Sequence, residues 1–517
     1  LIRRKWLSGV ILIVFIALAG WFFKTTPTGF IPNEDQGIIF CDISLPPGST
    51  IERTSDVAGK VEAIINGMDV VKENMFIVGF SMLSNTNGGS KAFAVIKLKD
   101  WKERKEDHQK SSAIVGQLFG MTAGINEARI LFFTPPTVRG FGNSDGFELQ
   151  LQDRSNGEFD DLMAKSGQFL SALNQRPEIK FAMTSFNTGF PQYEMEVNVE
   201  KVKEAGISVN GLFATLQGYY GSWYAADFNR FGKQYRVMIQ AAPEDRETVE
   251  SMNNVFVRNA RGELVSASQF VSLKKVSGPD VVSRFNLFNS AKINGNVNPG
   301  YSTGDAIKAI EEVATETLPS NYGYEFSGMT REEQKSGNQA ILVFVLSLIF
   351  VYFLLAAQYE SYILPFAIIL SLPIGIFGAI FFVKIIGLEN NIYFQVALIM
   401  LIGLLAKNAI LIVEFALQRR RQGMELTQAA AEGAKARLRP ILMTSFAFIL
   451  GLVPLMLANG AGAVGNRSIG SGAVGGMLIG TVFGVFVIPA FFVIFQSIQE
   501  KITGAPKPEE NELEIAE

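Results

Sequence analysis

The sequence predicts an α-helical membrane domain of six transmembrane helices. It also predicts an α+β domain outside the bilayer, made of ferredoxin-like βαββαβ units with an inserted subdomain. Three observations lead there. Apolar residues are 48% of the 517, and mean hydropathy is +0.22. They gather in one block near the start and in a dense region from about Ala340 to Phe495. The stretch 25–335 between them has ordinary soluble composition, and strand and helix periodicities recur in it in a fixed order.

The spans are Trp6–Phe23, Ala340–Ala357, Ile363–Val383, Ile392–Leu417, Ile441–Ala458 and Met477–Phe495. Each approaches or exceeds the ~20 apolar residues that cross ~30 Å of hydrocarbon with every backbone group satisfied internally. The first follows Arg3, Arg4 and Lys5, as a secretory signal would. Its apolar run is longer than a signal core, and no clean small-residue cleavage site follows.

Basic residues orient the spans. Arg3, Arg4 and Lys5 precede the first. Arg419, Arg420, Arg421, Lys435, Arg437 and Arg439 lie between the fourth and fifth. Both clusters fall on one side, taken as cytoplasmic. Segment 25–335 then lies opposite, and the acidic tail Pro506–Glu517 is cytoplasmic.

Within 25–335, Gln36–Leu45 alternates as a strand. Ser49-Thr50-Ile51-Glu52 opens a helix running to about Asn66. Val71–Phe80 and Ala92–Trp101 read as strands, Ser111–Ala123 as a helix and Ala128–Phe133 as a strand, which is the ferredoxin-like order. The pattern restarts with strand Phe147–Gln152, helix Phe159–Leu173 and strand Ile179–Ser185. It finishes after a gap with strand Phe285–Val297, helix Gly304–Thr317 and strand Tyr322–Ser327. The gap, about 190–280, holds hairpin turns at Phe231-Gly232-Lys233 and Asn259-Ala260-Arg261-Gly262. Ser84–Ser90, rich in small polar residues, reads as a loop between the second and third strands. It is either a plain connection or a mobile substrate-contacting segment.

Composition excludes several functions. A net charge of −3 gives no electrostatic case for nucleic acid. One cysteine, Cys41, allows no intrachain disulfide, and one histidine, His108, builds no metal cluster. No nucleophile–base pair or cofactor motif is present, so the expectation is no enzyme and no cofactor. Gly470-Ser471-Gly472-Ala473-Val474-Gly475 has dinucleotide-loop spacing but enters an apolar span, where small residues instead let helices approach closely.

The fourth span carries Lys407, about ten residues before Leu417, or ~15 Å along a helix. An ammonium at that depth costs at least ~2.5 kcal/mol and marks a functional site or a helix-pairing group. No span carries a mid-depth carboxylate: Glu414 is near the cytoplasmic end, and Glu360, Glu389 and Glu425 lie in loops. The partner acid is therefore expected on another half of the protein or another chain. With Leu1 in place of a starting methionine, the expectation is one half of a larger protein. Arg439 reads as an interfacial anchor, and Arg437 either anchors or gates proton access, with Thr444 about two turns deeper.

Several stretches carry a family resemblance. Gly403-Leu404-Leu405-Ala406-Lys407-Asn408-Ala409-Ile410-Leu411-Ile412-Val413-Glu414 and Arg437-Leu438-Arg439-Pro440-Ile441-Leu442-Met443-Thr444-Ser445 are the most specific. Glu34-Asp35-Gln36-Gly37, Leu98-Lys99-Asp100-Trp101, Tyr393-Phe394-Gln395-Val396, Gly460-Ala461-Gly462 and Ala357-Gln358-Tyr359-Glu360-Ser361 accompany them. Together they resemble the hydrophobe/amphiphile efflux branch of the resistance-nodulation-division superfamily, the AcrB-like multidrug transporters, over nearly the whole chain.

The resemblance implies a bacterial inner-membrane homotrimer of twelve-span protomers, this chain being the C-terminal half. It implies proton-driven export of small amphiphilic compounds through a periplasmic adaptor protein and a TolC-type outer-membrane channel. Lys407 would pair with two aspartates of the N-terminal half, with Arg437 and Thr444 as further relay members. Phe76, Phe80, Met82, Phe93, Leu131 and Phe133 would line the substrate pocket, and Ser84–Ser90 would be its switch loop. The implied domains are a first span at 1–24, a pore subdomain at 25–140, and a second pore subdomain at 141–189 and 281–335. A docking insertion occupies 190–280, five spans 336–498 and a cytoplasmic tail 499–517. Two other readings stay open: an exporter of metal ions or lipids in the same superfamily, and a non-transporting membrane scaffold.

Overall fold

A computed structural model describes residues 4–504. Arg3 and the acidic tail from Pro506 lie outside them. Helix α1 (Lys5–Thr25) is apolar all round, as a lipid-facing span requires. The chain then forms β1 (Ile38–Ser44), α2 (Ile51–Asn66), β2 (Val71–Ser81), β3 (Thr86–Leu98), α3 (Ser111–Thr122) and β4 (Arg129–Phe133). Thr50 caps α2 by accepting from the Arg53 N–H at 3.3 Å. The four strands make an antiparallel sheet in the order β2-β3-β1-β4, the ferredoxin-like arrangement. Strand alternation splits the sheet's side chains into two sets. Ile39, Cys41, Ile43, Ala94, Ile96 and Phe132 form the core with α2 and α3, while Phe40, Asp42, Phe93, Leu131 and Phe133 point the other way.

One sequence expectation is corrected here. Thr86–Ser90 belongs to β3, and the link between β2 and β3 is only Met82–Asn85, with Asn85 at φ 53°. Pairing of Phe80 with Asn87 and of Ser81 with Thr86 overrides the weak strand propensity of Asn87-Gly88-Gly89. Gly89 also passes close to the start of α2: a Cβ there would stand 3.2 Å from Ser49 O.

A second unit of the same order follows: β5 (Phe147–Asp153), α4 (Phe159–Leu173) and β6 (Ile179–Thr184). The chain then makes a separate compact unit, 187–280. It contains β7 (Phe190–Val197), α5 (Val199–Glu204), α6 (Val209–Leu216), β8 (Trp223–Arg230), β9 (Lys233–Ile239), β10 (Phe256–Arg258), β11 (Leu264–Ser266) and β12 (Val271–Gly278). These strands pair as β7–β12, β8–β9 and β10–β11. Phe231 and Gly232, at φ 54° and 71°, make the β8–β9 turn.

The interrupted subdomain resumes with β13 (Ser283–Phe285), β14 (Phe288–Val297), α7 (Thr303–Thr317) and β15 (Tyr322–Phe326). The single strand expected over Phe285–Val297 is instead the end of a hairpin, turning at Asn286 and Leu287 with φ 50° and 72°. β14 lies between β5 and β6, and β5 between β14 and β15, so the βαββαβ topology occurs twice.

The remaining spans are α8 (Gly328–Tyr359), the broken pair α9 (Pro365–Ile369) and α10 (Leu372–Ile385), α11 (Ile392–Arg421), α12 (Leu426–Met456) and α13 (Ala463–Thr503). With α1 they supply six helices, or helix pairs, long and apolar enough to cross a bilayer. Pro373 at the first turn of α10 accounts for the break in the third span. α12 and α13 begin well before the expected Ile441 and Met477. Pro440 lies inside α12, whose first turns bury Ala429, Ala430 and Gly433. α10 and α13 meet through glycines: a Cβ on Gly378 would stand 2.5 Å from Gly475 O.

Candidate functional site

Two places hold the residues singled out by sequence. The first is in the membrane. Lys407 is exposed on α11, while its neighbours Ala406, Asn408 and Ala409 are buried. It therefore projects from the side of this helix set that the other described spans leave uncovered, and no described carboxylate forms an ion pair with it. Glu414, two turns on, accepts from Gln418 instead. Thr444 lies on α12, exposed, donating to Ile441 O at 3.0 Å. The Arg437 guanidinium lies over the Phe415 ring, 4.7 Å from its centroid, and its Nε is buried with no hydrogen-bond partner among the described residues.

Behind Lys407 is a polar cluster that sequence reading missed. Asn408 Nδ2 donates to Ser445 Oγ at 3.0 Å and, more weakly, to Thr481 Oγ1 at 3.5 Å. Thr481 Oγ1 donates to Ser445 Oγ at 3.0 Å. Asn408, Ser445 and Thr481 are all buried, so three spans share one hydrogen-bonded knot beside the exposed lysine. Its signal was the adjacency of Asn408 to Lys407.

The second place is the apolar sheet face opposite the core. Phe80, Phe93, Phe40 and Phe133 touch in sequence across four strands, with successive ring centroids 6.2, 5.2 and 5.8 Å apart. The row ends at a cavity of about 270 Å³ between edge strands β4 and β6. Leu131 and Phe133 line it from one side, Phe181, Met183 and Asn294 from the other, with Leu83 above. A single sheet needs one apolar face for its core. The second face is covered within the chain, with Phe93 and Phe133 buried and Phe40 and Phe80 half-buried, and the cavity is the space left beside it.

Of the six residues marked by sequence, Leu131 and Phe133 line this cavity, and Phe80 and Phe93 belong to the row leading to it. Met82 sits in the tight turn, its carbonyl accepting from Asn143 Nδ2 at 2.8 Å. Phe76 is on the opposite face, packed against the core under the helices. Phe40 was missed although it alternates with the core residues Ile39 and Cys41 in β1. Phe181, Met183 and Asn294 come from the second subdomain, and no local signal links them to the first.

Asn294 and Asp145 belong to the lining of the cavity, and Asp42 braces the turn that carries Leu83. The Asn294 Oδ1 is itself buried with no hydrogen-bond partner among the described residues. Asp145, also lining it, accepts from Thr134 Oγ1 at 2.6 Å, and burial raises its pKa. Asp42 accepts from Ser81 Oγ at 2.8 Å and from the Leu83 N–H at 3.3 Å, tying the turn to the sheet. Burial raises its pKa too.

A third arrangement ties the extramembrane subdomain to the spans. Both oxygens of Glu34 accept from the first turn of α13, from Val464 N–H at 3.2 Å and Gly465 N–H at 2.8 Å. Next to it Asp35 pairs with Arg104 at 3.0 Å and accepts from Ser111 N–H. Burial would raise the Asp35 pKa, but these bonds outweigh it and hold it low. The Trp101 indole donates to Asp35 O at 2.9 Å and lies beside Gly460.

In the separate unit 187–280, an open cleft of about 700 Å³ is lined by Tyr219, Trp223, Ile239 and Asp245.

Comparison with known proteins places this geometry. Residues 1–496 match the AcrB/AcrD/AcrF family. The multidrug/solvent efflux pump membrane transporter MepB of Pseudomonas putida is 39% identical over 494 residues, covering 95% of this chain and 46% of MepB. The toluene efflux pump membrane transporter TtgE, also of Pseudomonas putida, is 35% identical over 495 residues, 95% of this chain and 47% of TtgE. The multidrug resistance protein MdtF of Escherichia coli is 34% identical over 493 residues, again 95% and 47%. The chain thus spans about half the length of the curated relatives it matches. It belongs to the AcrB/AcrD/AcrF family of resistance-nodulation-division transporters, multi-pass proteins of the bacterial inner membrane rather than enzymes.

Proposed function

We propose that this chain is the C-terminal half of a proton-driven exporter of hydrophobic and amphiphilic compounds. The observation that carries the reading is Lys407, exposed on a membrane helix with no carboxylate among the described residues to meet it. Left in hydrocarbon, such an ammonium costs at least ~2.5 kcal/mol. Burial against an acidic pair on the N-terminal half removes that cost and creates a two-state element. When a proton neutralises an acid, its hold on Lys407 weakens and α11 is free to shift. Arg437 and Thr444, on the neighbouring helix, would serve the same relay.

Compounds would reach the apolar face from the periplasm or the outer leaflet of the membrane. Phe80, Phe93, Leu131 and Phe133 suit amphiphiles of loosely defined shape, since apolar contact is non-directional. Segments 25–140 and 141–189 with 281–335 would be the pore subdomains, and 190–280 the docking subdomain. The assembly would be a homotrimer joined to a periplasmic adaptor and a TolC-type channel.

The test is Lys407→Ala in the complete transporter. Export of an amphiphilic dye should fall to the level seen with a proton uncoupler, while the trimer still forms. Uncoupler-sensitive export by that variant would refute the relay.

A further inference from the structure

Helix α13 begins without a cap of its own. Its N-cap is Gly462, in the left-handed region at φ 71°, which has no side chain to offer. Ala463 N–H and Asn466 N–H find local carbonyls at 3.1 Å, on Gly460 and Gly462. Val464 N–H and Gly465 N–H are the two left over, and Glu34 accepts from both. A carboxylate at a helix N-terminus gains from the orphan donors and from the helix dipole together. The cap therefore comes from the opposite end of the chain, from the segment that leads directly into β1.

That contact closes a continuous route. At one end, Thr481 of α13 is hydrogen-bonded in the knot with Ser445 and Asn408, beside Lys407. From Thr481 back to Val464, α13 is a rigid rod of ~25 Å. Glu34 holds its tip. Asp35, clamped by Arg104 and the start of α3, makes the next residue stiff. β1 then carries Phe40 into contact with Phe93 and Phe133, and Asp42 into contact with the turn bearing Leu83.

We infer that Glu34 is a positioning residue for transport: it transmits movement of the last span to the substrate face by gripping the N-terminus of α13. The inference rests on the transport reading above. Glu34 touches neither substrate nor proton. Its charge-assisted grip makes α13 and β1 move as one body, so displacement of the Asn408–Ser445–Thr481 knot reaches the aromatic row.

The experiment uses the complete pump in proteoliposomes, with an imposed proton gradient and the amphiphilic cation ethidium as probe. Wild type, Glu34→Ala and Glu34→Gln are compared for export rate, ethidium affinity and amide exchange at Val464 and Gly465. In Glu34→Ala the two amides should exchange about tenfold faster. Export should slow about tenfold, with affinity within about twofold of wild type. Glu34→Gln, which keeps an acceptor but not the charge, should fall between. Faster exchange with wild-type export would make Glu34 a cap and nothing more, overturning the inference. So would a loss of affinity with an unchanged maximal rate. If Glu34→Ala fails to assemble, Glu34→Gln decides by the same readouts. Absence of gradient-driven export in wild type would overturn the transport reading itself, and the coupling role with it, before any variant is compared.

Discussion

The Arg437 guanidinium rests on the Phe415 ring at 4.7 Å, so an arginine of one span meets an aromatic of its neighbour, and no carboxylate among the described residues pairs with it. Such a contact is worth about 0.5–2 kcal/mol. Phe415→Ala should therefore lower the unfolding midpoint in detergent and slow export, whereas Phe415→Trp, with a stronger ring face, should preserve both. Equal behaviour of the two variants would mean the stacking does not hold Arg437.

Asn408→Ala removes the amide from the three-span knot but leaves Thr481 and Ser445 bonded to each other. Interhelical hydrogen bonds in membranes contribute about 0.6 kcal/mol on average and up to about 1.7. A stability loss in that range, with weakened export, is expected from denaturation and dye-efflux measurements. A loss of export as complete as that of Lys407→Ala would place Asn408 in the relay itself.

Gly378→Val should separate α10 from α13. Its Cβ would lie 2.5 Å from Gly475 O and 2.7 Å from the Ile479 Cβ, so backbone must move. Overpacking of this kind costs about 1–3 kcal/mol or more. Gly451→Ala, where nothing lies within 4 Å, is the matched control. The yield of folded protein should drop for the first and stay level for the second.

Glu333, in the part of α8 that precedes the span, accepts from Thr303 Oγ1 at 2.7 Å. Burial, followed by the nearby Glu389 charge, raises its pKa from 4.5 to about 7. The fold thus favours the protonated form. The stability this contributes is complete below pH 4.5 and is lost as pH rises through about 7. The whole effect is at most about 3 kcal/mol. Thermal unfolding from about pH 5 to about pH 8 should show wild type losing stability over this window. Glu333→Gln should be flatter over the same range, and parallel curves would contradict the assignment.

Much of the architecture was legible because its signals are local. Helix α4 runs Phe159–Leu173, as its periodicity predicts. The six spans follow from length and hydropathy, and Lys407 stands out as a charge in an apolar run. The errors arose where distant partners decide. Thr86 and Asn87 look like loop until β2 pairs with them. The start of α12 looked too polar for a span until α11 packed against it, with Ala416 close to Gly433. The site was half legible: Phe80, Phe93, Leu131 and Phe133 could be marked on strands. Placing Phe76 on the core side needed the register.

Hydropathy and periodicity, properties of neighbouring residues, were enough for the spans, the doubled βαββαβ order and the lysine stranded in an apolar run, and the motifs around Lys407 and Arg437 carried the resemblance to the family. Three-dimensional packing alone decided which aromatic rings share a face, which edge strands enclose a cavity, and that Glu34 grips a helix starting at Ala463. Those relations join residues hundreds of positions apart. They depend on strand register and on unfilled backbone donors, which exist only once the elements have met.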